Sequence, residues 1–400
     1  YVIKTLLAII NHPMRSSDPY HIVTQVQNPD NLEVIDLLSR RDRIQPVLTG
    51  DLIARLTAQT SRQSGLSVVY TELLNFSGDE IYFKDAASLA GKTYGEILMA
   101  YENSTIMGLF RSNGSALLNP PMDTLVENGD QIFAISADDD TILDSSLTVF
   151  PVDGSVFQPI SHPEKPAPER TLILGWNLCA PAILRELDHY VPAGSRVDLV
   201  TSLDVHSEFK KGCQALKHQK ADLRQADPTQ RKVLEEMDLT SYDHIIVLSE
   251  AGYDPQAADA RTLITLLHLR DIANTSSSHF SIVSEMLDVR NRQLAEVAQV
   301  DDFIISEHLV SLMMSQISEN WRLLAVFKDI FDPEGSEIYL KPVNGYVKTD
   351  VVVNFYTLIE AARRRGETAI GYRLASQAGD PALAYGVHIN PQKSTLVTFT

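Results

Sequence analysis

The sequence predicts an α/β fold built on a parallel, doubly wound sheet, and two observations lead to this prediction. The apolar run at residues 171–174 has the length and composition of a strand that is buried on both faces, and residues 196–200 and 244–248 are predicted to form further strands. Residues 180–190, between the first two of these stretches, place apolar side chains at helical spacing and are followed by Pro192. Strands that alternate with helices at this spacing form parallel sheets.

The remaining elements of this sheet have weaker patterns. Residues 221–226 are predicted to form a further strand, and residues 231–237 a helix. Gly175 ends the first strand at the point where the chain must turn sharply into the following helix. The alternation can be followed without interruption from residue 171 to residue 250, so this stretch is the predicted centre of the fold.

Length and charge limit the possible functions. A chain of 400 residues is long enough for two to four domains of ~100–200 residues each. The formal net charge is −18, which argues against a surface for nucleic acid or anionic membranes, because phosphate groups require clustered Lys and Arg. We therefore expect cations or basic partners, and no nucleic acid.

Cysteine content and hydropathy indicate the compartment. The two cysteines, Cys179 and Cys213, have no metal-binding or redox spacing, which favours a reducing environment. No apolar run approaches the ~18 residues of a membrane span, and no signal-peptide pattern is present, so we expect no direct membrane insertion by these residues. Tyr1 opens directly onto an amphipathic helical pattern, and we expect a piece of a longer protein.

The chain contains an internal repeat. Residues 4–11 match residues 261–268, and residues 78–83 match residues 335–340, with 257 residues between the paired positions in both cases. Self-similarity at a fixed offset indicates two copies of one structural unit. The first copy lacks the strands that open the second, so its sheet is predicted to be truncated.

Five segments follow from the repeat. They are the end of a first sheet domain with its crossover helix (1–76), a compact strand-rich lobe (77–150), a linker (151–169), a second sheet domain with its crossover helix (170–332) and a second strand-rich lobe (333–400). Long crossover helices are predicted at residues 51–66 and 308–324, and a lobe helix at residues 93–101. The linker holds five prolines without periodicity, which favours an extended chain.

The strand-rich lobe carries a recognisable motif. Its residues are Asn119-Pro120-Pro121, Leu125, Gly129-Asp130, Ile132 and Ile135. Together with a preceding sheet domain and crossover helix, they resemble RCK, or regulator-of-conductance, domains, which gate potassium channels and transporters. The stretch 5–80, the turn at residues 175–177 and the tandem arrangement resemble the cytosolic gating-ring half of the CASTOR and POLLUX family of ion channels, over essentially the whole chain.

This resemblance implies a fold and an assembly. The fold would be α/β with tandem RCK domains, each a Rossmann-like doubly wound parallel sheet with a crossover helix and a small α+β C-terminal lobe, the first Rossmann-like lobe being truncated. Four chains would assemble a homotetrameric ring of eight domains on the cytoplasmic side of a membrane. The pore domain would precede these residues in the full-length chain, and ligand binding to the ring would bias the pore.

Gly175 and Asn177 are the candidate residues for a nucleotide. A dinucleotide site requires several glycines after the first strand and an acid after the second. Here the turn has one glycine and the bulky Trp176, and Thr201 and Ser202 follow the second strand. The pattern argues against NAD as a cofactor, and the alternative is that Gly175 only forms the turn.

Calcium is the favoured ligand from the residues and from the resemblance. Ligands of open α/β sheets bind beyond the carboxyl ends of the strands, and calcium takes six to eight oxygen ligands there. The carboxylates that fall at this edge are Asp227, Glu250, Asp254, Glu285 and Asp288. EF-hand spacing is absent, and the alternative is that these residues are solvated or cap helices, as expected for Asp227 before Pro228.

A second calcium candidate is the acidic run Asp138, Asp139 and Asp140, which follows the last strand of the first strand-rich lobe. Its charge density fits a cation between lobes. A charge run in a loop is more often only solvated.

Catalysis has little support in the sequence. The 11 histidines form no HExxH motif, no GxSxG motif is present, and neither cysteine has a nucleophile context. We therefore predict a regulatory module of a cation channel rather than an enzyme, with calcium shifting the ring between conformations. The alternatives are a nucleotide-sensing subunit of a potassium uptake system and, more remotely, an NAD(P)-dependent oxidoreductase.

Overall fold

The structure is a computed structural model, and it describes residues 1–160, 166–276, 280–291, 294 and 302–400. Residues 161–165 of the predicted linker lie outside the described residues. The sequence also predicts a helix between strands at residues 280–286 and 303–305, and most of that stretch lies outside the described residues too.

The described residues form two compact units, and each unit contains parts of both copies of the repeat. The first unit comprises residues 1–67 and 166–324, and the second comprises residues 68–165 and 325–400. Each unit is therefore described by itself.

The elements in the described part of the chain follow the predicted alternation. The strands are β1 (His21–Val26), β2 (Arg43–Leu48), β3 (Glu80–Asp85), β4 (Thr105–Phe110), β5 (Ala116–Leu118), β6 (Gln131–Ser136), β7 (Arg170–Leu174), β8 (Ser195–Thr201), β9 (Gln219–Gln225), β10 (His244–Val247), β11 (Ser281–Met286), β12 (Asp302–Ile305), β13 (Val352–Asn354), β14 (Gly371–Arg373), β15 (Val387–Ile389) and β16 (Leu396–Thr398). The helices are α1 (Val2–Ile10), α2 (Asn31–Leu38), α3 (Thr49–Arg62), α4 (Leu66–Leu74), α5 (Tyr94–Ile97), α6 (Ala180–Tyr190), α7 (His206–Cys213), α8 (Arg231–Glu235), α9 (Pro255–Ser276), α10 (Ser306–Glu319), α11 (Leu323–Ile330) and α12 (Phe355–Arg363).

The main sheet of the first unit is parallel and has six strands in the order β9-β8-β7-β10-β11-β12. Numbered along the chain, these strands lie in the order 3-2-1-4-5-6, which is the doubly wound arrangement. In its centre, Ile173 pairs with Leu199 of β8 and with Ile246 of β10. The predicted fold class is confirmed.

Both faces of this sheet are buried under helices. Ile173 packs against α6 on one face, whereas its neighbours Leu172 and Leu174 pack with Leu266 and Leu269 of α9 on the other. This alternation follows from the period of two along a strand. Each large aliphatic side chain buried in this way contributes about 1.5–3 kcal/mol to folding, which explains the unbroken aliphatic run from Leu172 to Leu174.

The first copy contributes a smaller sheet to the same unit. Strands β1 and β2 are parallel, and helices α1 and α2 cover them. Leu6, Val26, Ile35 and Ile44 form the buried cluster between these elements. The amphipathic pattern at the start of the sequence therefore forms a helix with a buried face, as predicted.

Each crossover helix packs against the sheet of the other copy. Helix α3 belongs to the first copy, yet its fully buried Ala54 and Ala58 lie in the core built on the second copy's sheet and α6. Helix α10 of the second copy in turn contacts β1 of the first. Small alanine side chains allow α3 to approach the sheet closely, so each copy depends on the other for part of its core.

Equivalent residues of β2 and β12 each hold the end of the other copy's crossover helix. The carboxylate of Asp302 accepts hydrogen bonds from the backbone N–H groups of Gly65 and Ser67 and from the Ser67 hydroxyl. Gln45, 257 residues earlier, donates its side-chain amide to the Trp321 carbonyl at 2.9 Å. The second copy therefore uses a buried carboxylate at this position, whereas the first copy uses a neutral amide.

The second unit contains the two strand-rich lobes. The first small lobe (residues 80–136) has an antiparallel sheet in the order β3-β6-β4-β5, and the second small lobe (residues 352–399) pairs β13 with β16 and β14 with β15. Leu109 and Ile132 of the first lobe share one buried cluster with Phe355 of the second. The two lobes therefore fold around a common core.

The predicted lobe helix at residues 93–101 is wrong in length. Helix α5 ends at Ile97, and residues 98–101 are all buried. Four consecutive buried residues do not fit one apolar stripe of a surface helix, so the chain leaves the helix to bury all of them.

The predicted crossover helices also end earlier than expected. Helix α3 ends at Arg62 because Gly65, with φ +90°, turns the chain before α4. Helix α10 ends at Glu319, where Asn320 is extended and its side chain accepts a hydrogen bond from the Arg322 N–H. Each crossover is thus two helices with a break between them.

The copies also differ in one strand. The residues that match β3 in the second copy, 337–340, form no strand. The last strand of that lobe, β16, pairs instead with β13. The sequence match at this place reflects the repeat and not a conserved pairing.

The hydrogen bonds to Asp302 predict that mutation of this residue costs more stability than mutation of the equivalent residue Gln45. Asp302→Ala leaves three donors without their acceptor, so we expect a loss of about 3 kcal/mol in the free energy of unfolding of the first unit. The matched variant Gln45→Ala removes two neutral hydrogen bonds, one to the Trp321 carbonyl and one to the His21 ring, and should cost about 1–2 kcal/mol. Urea denaturation of both variants measures the difference, and equal costs would contradict the asymmetry.

Candidate functional site

The candidate site lies at the carboxyl edge of the six-stranded sheet. The helix that follows β7 packs on one face and the helix that follows β10 packs on the opposite face. The two loops therefore diverge between neighbouring strands, which is where open α/β sheets form a crevice. Gly175 and Glu250 lie in these loops.

Gly175 is required by the backbone of the neighbouring loop. It has φ +93°, and a Cβ atom at this position would lie 2.5 Å from the carbonyl oxygen of Leu248. Its N–H donates to the Val200 carbonyl at 2.8 Å. The space left by the missing side chain is thus occupied by the protein itself, which is the structural alternative considered for this glycine.

Asn177 uses its whole side chain within the protein. Its Nδ2 donates to Glu285 Oε2 at 2.6 Å and to the Ser249 carbonyl at 3.1 Å. Its Oδ1 accepts from the Cys179 N–H at 2.9 Å. The residue joins the loop after β7 to the strand ends of β10 and β11.

Glu285 is a buried carboxyl group at the end of β11. It accepts hydrogen bonds from Asn177, from the Ser306 hydroxyl at 2.8 Å and from the Ser249 N–H at 3.2 Å. Burial raises the pKa of Glu285 despite these hydrogen bonds, because the low-dielectric surroundings penalise the charged form. The group is held rigidly and closes the edge of the sheet.

Glu250 and Asp227 meet on one arginine. Arg261, in the first part of α9, places one guanidinium nitrogen 2.9 Å from Glu250 Oε2 and 2.8 Å from Asp227 Oδ1. Burial alone would raise the pKa of Asp227, but hydrogen bonds from Thr229 and Arg261 outweigh it, and the pKa lies below its usual value. The structure therefore brings together two of the predicted carboxylates with an internal cation.

The other oxygen of Glu250 faces the end of the second strand. Its Oε1 accepts from the Thr201 hydroxyl at 2.7 Å and from the Ser202 N–H at 2.9 Å. These are the positions at which a dinucleotide site would carry an acid. Here an acid reaches them from the loop after β10, and its oxygens are already bonded.

Asp254 and Asp288 have local roles at the same edge. Asp254 precedes α9 and accepts from the N–H groups of Gln256 and Ala257, which is a helix cap. Hydrogen bonds from the Arg290 side chain hold the pKa of Asp288 at about 2. Asp254 thus caps α9, whereas Asp227, which was expected to cap a helix, does not, because Gln230 occupies the N-cap position of α8. Both Asp254 and Asp288 keep exposed surface.

The predicted calcium residues do not converge on one point. Among the described residues, the single group of three acidic, histidine or cysteine side chains whose ligand atoms lie within 4.8 Å of one another is Asp138, Asp139 and Asp140, and all three are exposed. Asp138 itself caps a short 3₁₀ turn by accepting from the Asp139 N–H. The carboxylates of the sheet edge are instead paired with protein donors.

Two residues at this edge, Arg261 and Asp259, are not predicted as site residues from the sequence. Arg261 appears in the repeat but carries no motif, and its role depends on its position nearly two turns into α9, the helix that follows the Glu250 loop. Asp259 is fully buried and accepts from the N–H groups of Leu287 and Asp288. Only the tertiary contact between α9 and the end of β11 identifies it.

Comparison with protein families identifies related channels. A family model described as "Castor and Pollux, part of voltage-gated ion channel" matches residues 50–152. The chain is 29% identical over 392 residues to the probable ion channel POLLUX of Arabidopsis thaliana. This alignment covers 89% of the chain and 47% of the relative. It is 28% identical over 393 residues to the ion channel CASTOR of Lotus japonicus, covering 89% and 46%.

A solved structure has the same fold. The gating ring of human SLO3 matches with a TM-score of 0.69 and 14% sequence identity, over 99% of this chain and 82% of that chain. The predicted resemblance to CASTOR/POLLUX-type channels and the tandem RCK fold are confirmed. The chain spans about half the length of the curated relatives it matches.

Hydropathy adds one observation on these residues. Of the helices that the structure describes, none is long and apolar enough to cross a membrane.

The Arg261 pair predicts a double-mutant result. Arg261→Met should lower the free energy of unfolding by about 3 kcal/mol, because it leaves the buried Glu250 charge uncompensated. Adding Glu250→Gln should restore part of that loss, since the uncompensated charge is then absent. The matched control Arg224→Met breaks an exposed pair with Glu236 and should cost less than about 1 kcal/mol.

Urea unfolding of the four proteins tests this expectation. An Arg261→Met variant as stable as Arg224→Met would show that the guanidinium does not neutralise the edge.

Proposed function

We propose that this chain, of the CASTOR/POLLUX type, is a ligand-sensing regulatory module that biases the opening of a cation channel. The observation that carries the proposal is the extent of the similarity: relatives named as ion channels align over 89% of this chain, and the alignment includes both copies of the repeat. The fold of a gating ring agrees with this role. The role is regulatory rather than catalytic.

The assembly follows from the same proposal. The module would act beside a pore domain of its own full-length chain, as one quarter of a homotetrameric ring on the cytoplasmic side of the membrane. Ring geometry would change on ligand binding and transmit force to the pore. The ring, its compartment and the ion conducted are parts of the proposal.

Calcium is the ligand that we propose, with Asp227 and Glu250 as its first protein ligands. The two carboxylates already share a cation, the guanidinium of Arg261, and a pocket lined by Gly175, Thr229, Glu250 and Arg261 borders them. Carboxylate, hydroxyl and carbonyl oxygens are the ligands that calcium prefers. Calcium would thus replace an internal cation rather than fill a neutral cavity.

Arg261 is suited to displacement. Its Nε is buried without a hydrogen-bond partner among the described residues, and its guanidinium also lies 4.7 Å from the ring centre of Tyr253. The free-energy cost of releasing Arg261 from Asp227 and Glu250 is therefore smaller than it would be for a fully hydrogen-bonded arginine. Because Arg261 lies on α9, its release would alter the packing of that helix, and a ligand that favours one packing shifts the population toward it.

The binding experiment is isothermal titration of the chain with calcium, with magnesium as the ion control. We expect saturable heat with calcium alone, because magnesium dehydrates reluctantly and requires near-ideal octahedral geometry. Glu250→Gln should weaken binding at least about tenfold, since it removes one charged ligand. Arg261→Gln should strengthen it, because the competing cation is removed.

Controls separate the alternatives. Asp139→Asn removes a charge from the exposed acidic run and should leave calcium affinity unchanged. A loss of affinity in Asp139→Asn but not in Glu250→Gln would move the site to that run. A parallel titration with NADH tests the nucleotide alternative. If calcium gives no heat and NADH gives saturable heat, the calcium proposal is replaced by nucleotide sensing.

The channel role itself is tested in the full-length protein. Currents recorded across a planar bilayer should increase with calcium on the ring side, and Glu250→Gln should shift that response to higher calcium. If the chain binds calcium but the wild-type currents do not change with calcium, the binding site stands and its coupling to the pore is refuted.

A further inference from the structure

Two equivalent turns join the small lobes of the second unit. Asn119 and Asn390 each precede a proline and adopt left-handed backbone conformations, with φ +43° and +48°. Asparagine is among the few residues that tolerate this conformation. We call the Asn119 turn the first clasp and the Asn390 turn the second clasp.

The clasps make the same contacts in opposite directions. In the first, Asn119 accepts from the Thr368 hydroxyl at 2.7 Å and donates to the Gly366 carbonyl at 3.2 Å. In the second, Asn390 accepts from the Thr105 hydroxyl at 2.8 Å and donates to the Asn103 carbonyl at 2.9 Å. In both cases the carbonyl lies two residues before the threonine.

The third residue after each asparagine occupies the same place in the two lobes. The Met122 carbonyl accepts from the Gly95 N–H, and the Lys393 carbonyl accepts from the Tyr356 N–H. Gly95 and Tyr356 are each the second residue of the helix in their lobe. A methionine in the first clasp thus corresponds to a lysine in the second.

Lys393 is fully buried in this position. Its Nζ donates to the Ser104 carbonyl, which is the one hydrogen bond that the amine makes among the described residues. An ammonium group has three donors. Burial lowers the pKa of Lys393 to about 7, and the nearby Glu102 charge acts in the opposite direction.

The ionisable groups around the second clasp are few. The Glu102 carboxylate faces Lys393, but its oxygens already accept from the Ser394 N–H and the Tyr356 hydroxyl. Asp79 faces the clasp from the start of the first small lobe and accepts from Asn390 at 2.6 Å. No other carboxylate of the described residues bonds to the turn, so the amine has no ion-pair partner in direct contact.

Packing alone does not require a lysine here. Met122 shows that an apolar, unbranched side chain fills the equivalent position, and burying an amine instead of a thioether costs free energy. The amine therefore adds a property that the first clasp lacks.

We propose that Lys393 makes the second clasp proton-sensitive: the uncharged amine stays seated against Ser104, and protonation favours release of the turn at residues 390–394 from the first small lobe. Release lets water solvate the ammonium group. Because the first clasp carries Met122, it holds at either pH. This inference concerns a proton as a regulator and does not depend on the calcium proposal or on the channel role.

The sign of the pH effect follows from the two states. In the folded chain Lys393 loses its proton near pH 7, whereas in the unfolded chain it stays protonated up to its ordinary pKa of 10.5. Between these values the unfolded state binds more protons, so the stability of the second clasp rises with pH. Below pH 7 the full penalty of a buried charge applies.

The first measurement is the titration of Lys393 itself in the 400-residue chain. Lysine labelled with ¹³C and ¹⁵N gives a side-chain resonance that shifts on protonation, and through-bond assignment identifies Lys393 without a variant. We expect its midpoint near pH 7, and the resonance of the exposed Lys92 side chain serves as the internal reference. A midpoint for Lys393 above pH 9 would overturn the proposal.

The second measurement is hydrogen exchange of the clasp amides. After correction for the intrinsic rate, protection of the Tyr356 and Ser394 N–H groups should fall at least tenfold from pH 8.5 to pH 6, while the Gly95 N–H of the first clasp stays unchanged. Lys393→Met should abolish the fall, and Lys92→Met should retain it. The same fall in Lys393→Met as in the wild type would refute a role for the amine.

Discussion

The exchange of crossover helices is the constraint on which the first unit depends. Helix α3 carries the fully buried Ala54 and Ala58 into a core that the other copy's sheet provides, and without that sheet its apolar face would meet water. The reverse contact, of α10 on β1, repeats the exchange. Neither copy can therefore rearrange its crossover without disturbing the other, which is a physical basis for transmitting a local change through the unit.

Buried charge is the second theme, and the protein satisfies each case with a different donor. Glu250 uses Arg261 and Glu285 uses Asn177 and Ser306, whereas Asp302 uses backbone N–H groups. An unpaired charge at any of these positions would cost several kcal/mol. The edge of the main sheet is thus electrostatically complete without a ligand, and a cation can enter only by replacing a donor that is already there.

The two copies share a backbone plan but divide its chemistry unequally. At two pairs of equivalent positions the first copy has a neutral residue, Gln45 or Met122, and the second copy has an ionisable one, Asp302 or Lys393. At these two pairs the ionisable side chain belongs to the second copy, so the pseudo-symmetry of the fold does not extend to their electrostatics.

The sequence by itself determined the alternation of strands and helices, the repeat, and the carboxylates that follow strand ends, because hydrophobic period and strand order are local or topological properties. It also supplied the motif at residues 119–135 on which the family resemblance rested. The tertiary structure decided which charges meet. Arg261 reaches Glu250, Asp302 holds the end of α3, and Lys393 is buried against Ser104 through contacts between residues far apart in the chain, and no local pattern encodes the environment that sets their charge.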